Sequence, residues 1–270
     1  MTNLFSVLLS LLLLCRAFSG IAEAAATDRA LLSLFCASGA IAGTTCKRAR
    51  SYPDSEGRRC DVTLKPGRQQ GRFLASGNPL LIVTYESGCE PHATDFGGSV
   101  VFDQVGGAYK FRGYQPGMQV DECVIAAGSE AQDVLVCLTG HMGQGVVETG
   151  VARVGFASTS GGSIEMSYDF LLRAEDTTGA YLTNIVDCSE QLKYFDLSKL
   201  AAGPSPGTVV AGVRYADRET IETACGKGFP KPKDAEDMRE LAAGEGSVPE
   251  GYAKSGSVLI DITNRTAKLR

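Results

Sequence analysis

The chain has 270 residues, of which 44% are hydrophobic and 21% are charged. This length is typical of one or two domains, and the composition argues against an intrinsically disordered chain. The 32 glycines and 10 prolines indicate many turns. The formal net charge of −5 gives the protein no general attraction for nucleic acid or anionic lipid. We therefore expect no nucleic-acid partner.

The N-terminal segment has the pattern of a secretory signal peptide. Leu4–Leu14 reads LFSVLLSLLLL, in which nine of eleven residues are apolar. Small residues follow at Ala22, Ala24 and Ala26, and we expect cleavage after Ala24 or Ala26. The apolar run is shorter than the roughly 20 residues that a transmembrane helix needs. The sequence therefore predicts an exported protein, secreted or periplasmic, without a stable transmembrane anchor.

Cleavage after Ala24 removes Cys15 and leaves eight cysteines, an even number that indicates disulfide bonds in an exported chain. These cysteines are Cys36, Cys46, Cys60, Cys89, Cys123, Cys137, Cys188 and Cys225. A zinc site is disfavoured, because no Cys-x-x-Cys motif occurs and the spacings are wide. A lipidated Cys15 is disfavoured too, since lipoprotein processing needs a small residue where this chain has Leu14.

One disulfide follows from strand register. Met118–Ala126 and Asp133–Leu138 read as two strands of a hairpin. If the hairpin is centred on Glu130, Cys123 lies opposite Cys137, at a separation that a disulfide tolerates. Cys123–Cys137 is therefore the pair that geometry predicts. Sequence proximity alone suggests the remaining pairs, which are Cys46–Cys60, Cys188–Cys225 and, by elimination, Cys36–Cys89.

After the signal peptide, the sequence predicts a short helix and then a basic loop. Thr27 or Asp28 can cap the helix, whose apolar face comprises Leu31, Leu32, Leu34, Phe35 and Cys36. From Cys46 to Arg72 the chain reads as a loop with eight basic and three acidic residues, a net charge of +5. Such a cluster is usually solvated surface. It also offers a site for an anionic ligand, or for the acidic residues between 234 and 250.

Strand patterns dominate the rest of the chain. Ile164–Phe170 alternates strictly between apolar and polar residues, which is typical of a half-buried strand. Pro79–Glu86 is nearly continuously apolar, which suits a central strand. Glycine-rich turns separate most of the strands, and a second helix is predicted at Asp234–Ala243. The further predicted strands are Ser99–Asp103, Ala108–Tyr114, Val146–Phe156, Asn184–Cys188, Leu192–Leu197, Thr208–Tyr215 and Ser257–Thr263.

Many short strands with regular glycine punctuation predict a mainly β fold. We expect antiparallel sheets in a sandwich, a barrel or an irregular propeller-like arrangement, with one or two short helices and disulfide cross-links. The chain shows no convincing internal repeat. Three parts are expected: a signal peptide over residues 1–24, an N-terminal helix with a basic loop over 25–60, and an all-β domain over 61–270.

The candidates for nucleophilic or anion-binding chemistry are weak. The chain has two histidines, His92 and His141. A nucleophilic Cys137–His141 pair is disfavoured, because four residues of extended strand span more than about 10 Å. An oxidised Cys137 would also be inert. The glycine-rich segment Gly140–Gly145 favours a hairpin turn over an anion-binding loop.

Paired carboxylates are a further candidate, because a glycosidase needs only two acids across a cleft. The possible pairs are Glu86 or Glu90 with Asp95, and Asp121 with Glu122. In a strand, the two adjacent acids of the second pair would point to opposite faces and would not cooperate. Three aromatic residues, Tyr109, Phe111 and Tyr114, are predicted to be core or cross-strand partners.

The preferred hypothesis is a non-catalytic exported β protein that binds a ligand or another envelope or extracellular protein through its loops. The alternative is a secreted hydrolase with an unrecognised carboxylate or Cys–His site. A third hypothesis is an interaction module that presents the basic segment Arg48–Arg72 to an acidic partner. No cofactor is expected. The residues Asn264-Arg265-Thr266 form a glycosylation sequon in a host with that machinery.

Overall fold

A computed structural model describes residues 28–50, 52, 60–75, 77–87, 97–129, 132–182, 187–188, 191–227 and 254–270. The predicted signal peptide, residues 53–59 of the basic segment, Cys89, His92 and the predicted helix Asp234–Ala243 lie outside these residues. The chain forms two compact units. The first comprises the described parts of Met1–Gln70, Leu80–Asp121 and Ser160–Ile164; the second comprises those of Gly71–Pro79, Glu122–Thr159 and Glu165–Arg270. The three-part division expected from the sequence stays a prediction.

In its described residues, the first unit consists of one helix and a six-stranded sheet. Helix α1 spans residues 28–35, where its capping residue and apolar pattern predict it. Neighbouring strands in the chain are also neighbours in the sheet. The strands are β1 (Ile41–Ala42), β2 (Thr45–Cys46), β3 (Val62–Gly71), β4 (Leu80–Ser87), β5 (Gly98–Val105) and β6 (Ala108–Pro116).

Strand β3 lies in the basic segment that the sequence predicts to be a loop, so that prediction is wrong for Val62–Gly71. The side chains of Val62 and Leu64 are buried, whereas those of Thr63 and Lys65 are half-buried. This alternation is the period of two expected for a strand. It covers only a few residues before Pro66 and Gly67, and the charged residues of the segment hide it.

The core of the first unit lies between helix α1 and one face of the sheet. Leu31, Leu32 and Phe35 of the helix are at most 1% exposed. The Phe35 ring packs 5.5 Å from the Phe111 ring and 5.7 Å from the Tyr114 ring, measured between centroids. The prediction that Tyr109, Phe111 and Tyr114 are core or cross-strand residues is confirmed, because all three pack in this core.

The second unit contains two four-stranded antiparallel sheets. The first sheet has the order β10-β9-β8-β7 and comprises β7 (Cys123–Ser129), β8 (Gln132–Gly143), β9 (Val146–Ser158) and β10 (Ile164–Asp176). The second sheet follows chain order and comprises β11 (Phe195–Ala202), β12 (Thr208–Tyr215), β13 (Lys254–Asp261) and β14 (Thr266–Leu269). Two short helices accompany them, α2 (Thr178–Leu182) and α3 (Arg218–Lys227).

Side chains from both sheets form the core of the second unit. Val209, Ala211 and Val213 occupy alternate positions of β12 and are all buried. Successive residues of a strand face opposite sides of a sheet, so these three side chains face the same side. They pack with residues of the other sheet, including Val136 and Val151. This is the packing of one sheet on another. The predicted mainly β, antiparallel, disulfide-linked fold class is therefore confirmed. The described sheets are not closed into a barrel, and three short helices are present where one or two were expected.

The hairpin of β7 and β8 has the register predicted from the sequence. Cys123 pairs with Cys137, Val124 with Val136 and Ile125 with Leu135. The two cysteines form a disulfide bond with their Cα atoms 4.0 Å apart. The strand β7 begins at Cys123 rather than at Met118.

Two of the remaining pairings need correction. Cys188 bonds to Cys225 as predicted, with Cα atoms 5.8 Å apart. Cys36, however, bonds to Cys46, so the predicted pairs Cys46–Cys60 and Cys36–Cys89 are wrong. The hairpin of β1 and β2 turns the chain back, so that Cys36 and Cys46 meet in the core of the first unit. Cys60 is also disulfide-bonded, and its partner lies outside the described residues.

Most predicted strands are present, but the bounds of several differ. Strand β12 matches the predicted Thr208–Tyr215, whereas β11 begins at Phe195 and continues to Ala202. Helices α2 and α3 and strands β1, β2, β3 and β14 are additional to the prediction. Residues 184–186 of the predicted strand Asn184–Cys188 lie outside the described residues. In the part of the chain that the structure describes, no helix is long and apolar enough to cross a membrane.

Candidate functional site

The structure rules out the proposed Cys137–His141 nucleophile. Both residues belong to strand β8, four positions apart. Cys137 is fully buried and bonded to Cys123, so it has no thiol to ionise. His141 is exposed near the end of the strand, where it pairs with Glu148 of β9. This pair is therefore excluded as a nucleophile, whereas Cys89 and His92 lie outside the described residues.

The glycine-rich segment Gly140–Gly145 forms the end of a hairpin, as expected, but its turn is shorter than the segment. Strand β8 continues to Gly143, and the turn consists of Gln144 and Gly145. Both turn residues have positive φ, 52° and 78°, as in the tight turns that suit the twist of a hairpin. The Gly145 carbonyl accepts a hydrogen bond of 2.8 Å from the Ala180 N–H, which holds the turn against helix α2.

The acid pairs suggested by the sequence do not form a site among the described residues. Glu86 lies 2.7 Å from the Lys65 ammonium and is engaged in that ion pair. Its suggested partner Asp95, like Glu90, lies outside the described residues. Asp121 and Glu122 are exposed residues of the turn that precedes β7, not strand residues.

Contacts within the first unit engage several described residues of the basic segment Cys46–Arg72. Arg50 donates two hydrogen bonds of 3.3 Å to the carbonyls of Ser33 and Leu34, at the carboxyl end of α1. A helix leaves such carbonyls without internal partners. Three further basic residues of the segment form ion pairs among the described residues: Lys47–Asp61, Lys65–Glu86 and Arg68–Asp28. The surface therefore offers less positive charge to an anionic partner than the sequence count suggests.

Three buried polar side chains form a row across strands β4, β5 and β6. Thr84 pairs with Ser99, and Ser99 with Gln115, and each is at most 9% exposed. They lie on the face opposite α1, because the alternate residues Val83 and Tyr85 belong to the α1 core. Each of these side chains hydrogen-bonds to the backbone. Thr84 Oγ1 accepts from Val120 N (3.2 Å), whereas Ser99 Oγ donates to Met118 O (2.6 Å) and Gln115 Nε2 donates to Ile164 O (2.7 Å).

Further along this face, the buried Asp103 forms an ion pair with the half-buried Arg112. The Asp103 residue is 4% exposed, and its Oδ2 atom accepts hydrogen bonds from Arg112 Nε at 3.2 Å and Nη2 at 2.5 Å. Arg112 Nη1 also donates to the Gly162 carbonyl at 2.9 Å, which fixes the turn at residues 160–163. Asp103 Oδ1 has no hydrogen-bond partner among the described residues. This oxygen is itself buried, so it does not face solvent in this structure.

A different pair of acids, Asp176 and Asp196, lies at the end of β10 and on β11. Burial raises the pKa of Asp176, and the charge of Asp196 raises that pKa further. Asp176 Oδ1 accepts hydrogen bonds from Thr178 N at 2.8 Å and Thr178 Oγ1 at 2.5 Å, and so caps helix α2. Asp196 Oδ1 accepts a hydrogen bond of 3.4 Å from Thr149 Oγ1.

Sequence reasoning missed this acid pair, since Asp176 and Asp196 lie 20 positions apart in the printed sequence. The one local signal is the order Asp-Thr-Thr at Asp176-Thr177-Thr178, which is typical of a helix cap. A carboxyl with a raised pKa resembles a general acid in its titration. Its hydrogen bonds to Thr178 show that one of its oxygens already has a structural task.

Among the described residues, no group of three or more His, Cys, Asp or Glu side chains is placed to hold a metal ion. Comparisons with protein-family models, with curated proteins and with solved structures found no match to this chain. The residues themselves therefore carry any functional argument.

Proposed function

We propose that the protein is exported to an oxidising compartment, secreted or periplasmic, and acts there as a non-catalytic binding protein. One observation carries the proposal: all seven described cysteines are disulfide-bonded. Disulfide bonds persist in oxidising compartments and are rare where glutathione and thioredoxin keep thiols reduced. The apolar N-terminal pattern of Leu4–Leu14 supports the same destination.

The surface that we propose for binding is the tip of the β8–β9 hairpin. Met142 is 62% exposed, which is the largest value among the large hydrophobic side chains that the structure describes. Its neighbour His141 is exposed on the opposite face of the strand and is not part of this surface. The tight turn at Gln144–Gly145 and its hydrogen bond to Ala180 fix the backbone that presents Met142. An exposed thioether on a fixed hairpin suits an apolar contact with another protein.

The first experiment tests the destination. The native protein is recovered by fractionation and alkylated without a reductant, and its mass is then measured. We expect a chain that begins after Ala24 or Ala26 and whose cysteines resist alkylation until a reductant is added. An intact leader together with freely alkylated cysteines would overturn the proposed export.

The second experiment tests the binding surface. The mature chain is immobilised and exposed to proteins of its own compartment, and bound proteins are quantified by mass spectrometry. The Met142→Ser variant is compared with the matched control Val105→Ser, which removes another exposed hydrophobic side chain, 50% exposed, at the end of β5. We expect at least one partner protein to bind the control variant and to bind the Met142→Ser variant with about tenfold lower affinity. This loss is equivalent to about 1.4 kcal/mol of binding free energy. Equal capture by the two variants would exclude this surface.

A hydrolase with a carboxylate site is the second candidate, and the raised pKa of Asp176 beside Asp196 favours it. The test is hydrolysis of chromogenic glycosides by the mature chain. Asp196→Asn would abolish that activity in a two-carboxylate enzyme, whereas Glu148→Gln, at an exposed position on β9, would preserve it. No hydrolysis by the unaltered chain above a buffer blank would count against this candidate.

A further inference from the structure

The turn between β13 and β14 contains the only Asn-x-Ser/Thr sequence of the chain, Asn264-Arg265-Thr266. The turn comprises residues 262–265, and the side chains of Asn264 and Thr266 are exposed. Asp261 and Thr266 pair with each other and flank the turn on its two sides. The sequon thus lies at a surface hairpin, where an attached group meets solvent.

Two carboxylates fix the conformation of this turn. The Asp261 carboxylate accepts hydrogen bonds from Asn264 N at 2.8 Å and from Asn264 Nδ2 at 3.0 Å. These bonds lower the pKa of Asp261, with the backbone N–H of Asn264 as the largest cause. Arg265 has a φ of 54°, and its guanidinium binds both oxygens of Asp169, at 2.9 and 2.8 Å. The backbone of Asn264 is therefore held by Asp261, and its neighbour Arg265 is held by Asp169, while the Asn264 side chain stays at the surface.

We propose that Asn264 is an N-glycosylation site, an inference that rests on the proposed export of the chain. In the reaction, Asn264 Nδ2 forms a bond to the anomeric carbon of an oligosaccharide carried on a polyprenyl pyrophosphate. The bond between that carbon and the pyrophosphate oxygen breaks, and polyprenyl pyrophosphate leaves. The proton lost from Nδ2 passes to a base of the transferase.

The folded turn accommodates this product. An amide nitrogen of Asn carries two hydrogens, of which the modification replaces one. The remaining N–H can still donate to Asp261 Oδ2, so the contact that orders the side chain need not be lost. The hydrogen bond from the Asn264 backbone N–H to Asp261 does not involve the modified group at all.

The experiment uses the native full chain from its own source. Its intact mass is measured before and after treatment with peptide N-glycosidase in ¹⁸O-water, and the peptide containing residue 264 is sequenced. We expect a mass loss on treatment and the recovery of residue 264 as ¹⁸O-labelled Asp. The expressed variants Asn264→Gln and Thr266→Ala lose the glycan completely, whereas the conservative Thr266→Ser and the matched control Asn184→Gln retain it.

The outcomes separate this proposal from the one on which it rests. An exported, oxidised chain with unmodified Asn264 overturns glycosylation and leaves the proposed function standing. A chain with an intact leader and free thiols overturns both. Persistence of the glycan in Asn264→Gln would show that another residue is modified and would overturn the assignment to Asn264.

Discussion

Cys123 and Cys137 lie directly opposite each other on β7 and β8, joined by a disulfide with a Cα–Cα distance of 4.0 Å. The same register places Val124 opposite Val136, and both pack in the core of the second unit. Among the described strands of its sheet, β7 is at the edge and pairs with β8 alone. The disulfide and the apolar pairs therefore specify one register for an edge strand. A slip by one residue would expose the apolar set and separate the cysteines.

The Cys123→Ala, Cys137→Ala double variant tests the energetic role of this bond. The two cysteines are 14 positions apart, and closing a loop of that length stabilises the fold by about 3 kcal/mol through the entropy of the unfolded chain. We expect the free energy of unfolding to fall by about that amount in urea titrations followed by far-ultraviolet circular dichroism. Removing Cys188–Cys225, which are 37 positions apart, should cost about 4 kcal/mol. Unchanged stability of the first variant would contradict the argument.

The ion pair of Asp103 and Arg112 gives a second prediction. Arg112→Met leaves the Asp103 carboxylate, 4% exposed, without its counter-charge. Breaking a buried pair in this way typically costs about 3–5 kcal/mol of stability. Adding Asp103→Asn should restore part of that loss, because the uncompensated charge is removed. The matched control is Lys47→Ala, in an exposed pair with Asp61, which should cost less than about 1 kcal/mol in the same urea titration.

Gly145 gives a third prediction, about the hairpin that carries the proposed binding surface. Its φ is 78°, and a Cβ atom there would lie 2.5 Å from Ala180 N. An alanine must bear the cost of the left-handed conformation, about 1–2 kcal/mol, and must also push helix α2 away. We expect Gly145→Ala to lower the melting temperature. Gly140→Ala, where a Cβ atom meets nothing within 4 Å, is the control and should have a smaller effect. Equal effects would mean that the contact with α2 is unimportant.

The sequence predicts best where local pattern and packing agree. The register of β7 and β8 follows from apolar pairs that match on both strands around one turn. Strand β12 is equally clear, because Val209, Ala211 and Val213 alternate with less buried residues. In both cases the period of two is read directly from side chains that face the core.

The sequence predicts poorly where long-range contacts decide the structure. The Cys36–Cys46 pair arises because a short hairpin brings two buried residues together, which spacing alone does not show. Helix α3 has few apolar residues, and its burial at Ile221 and Ala224 depends on Tyr181 and Leu192 elsewhere in the chain. The acids Asp176 and Asp196 likewise meet only through the fold.

The cap of helix α3 gives a prediction about pH. The Asp217 carboxylate pairs with the Lys254 ammonium and accepts a hydrogen bond of 2.9 Å from Thr220 N. The hydrogen bond from Lys254, followed by those from Thr220, holds the pKa of Asp217 well below its usual range. The folded state therefore binds this proton more weakly than the unfolded state, in which the pKa is about 3.9. Its stabilising effect is complete above that unfolded pKa and is lost as pH falls through the lower folded value.

The Asp217→Asn variant tests this pH dependence of stability. Its amide oxygen can still accept a hydrogen bond from Thr220 N, while the charge that attracts Lys254 is gone. We expect the original chain to exceed the variant in free energy of unfolding at pH 7, and the difference to shrink as the solution is acidified below about pH 4. Urea titrations of both chains over this range measure the difference. Asp187→Asn, at an exposed position, is the control and should lack this pH-dependent gap. A stability difference for Asp217→Asn that stays constant down to strongly acidic pH would show that the ion pair does not stabilise the fold.

High salt should also reduce the stability difference between the original chain and Asp217→Asn at pH 7. The side chains of Asp217 and Lys254 are both substantially exposed, so salt screens their attraction.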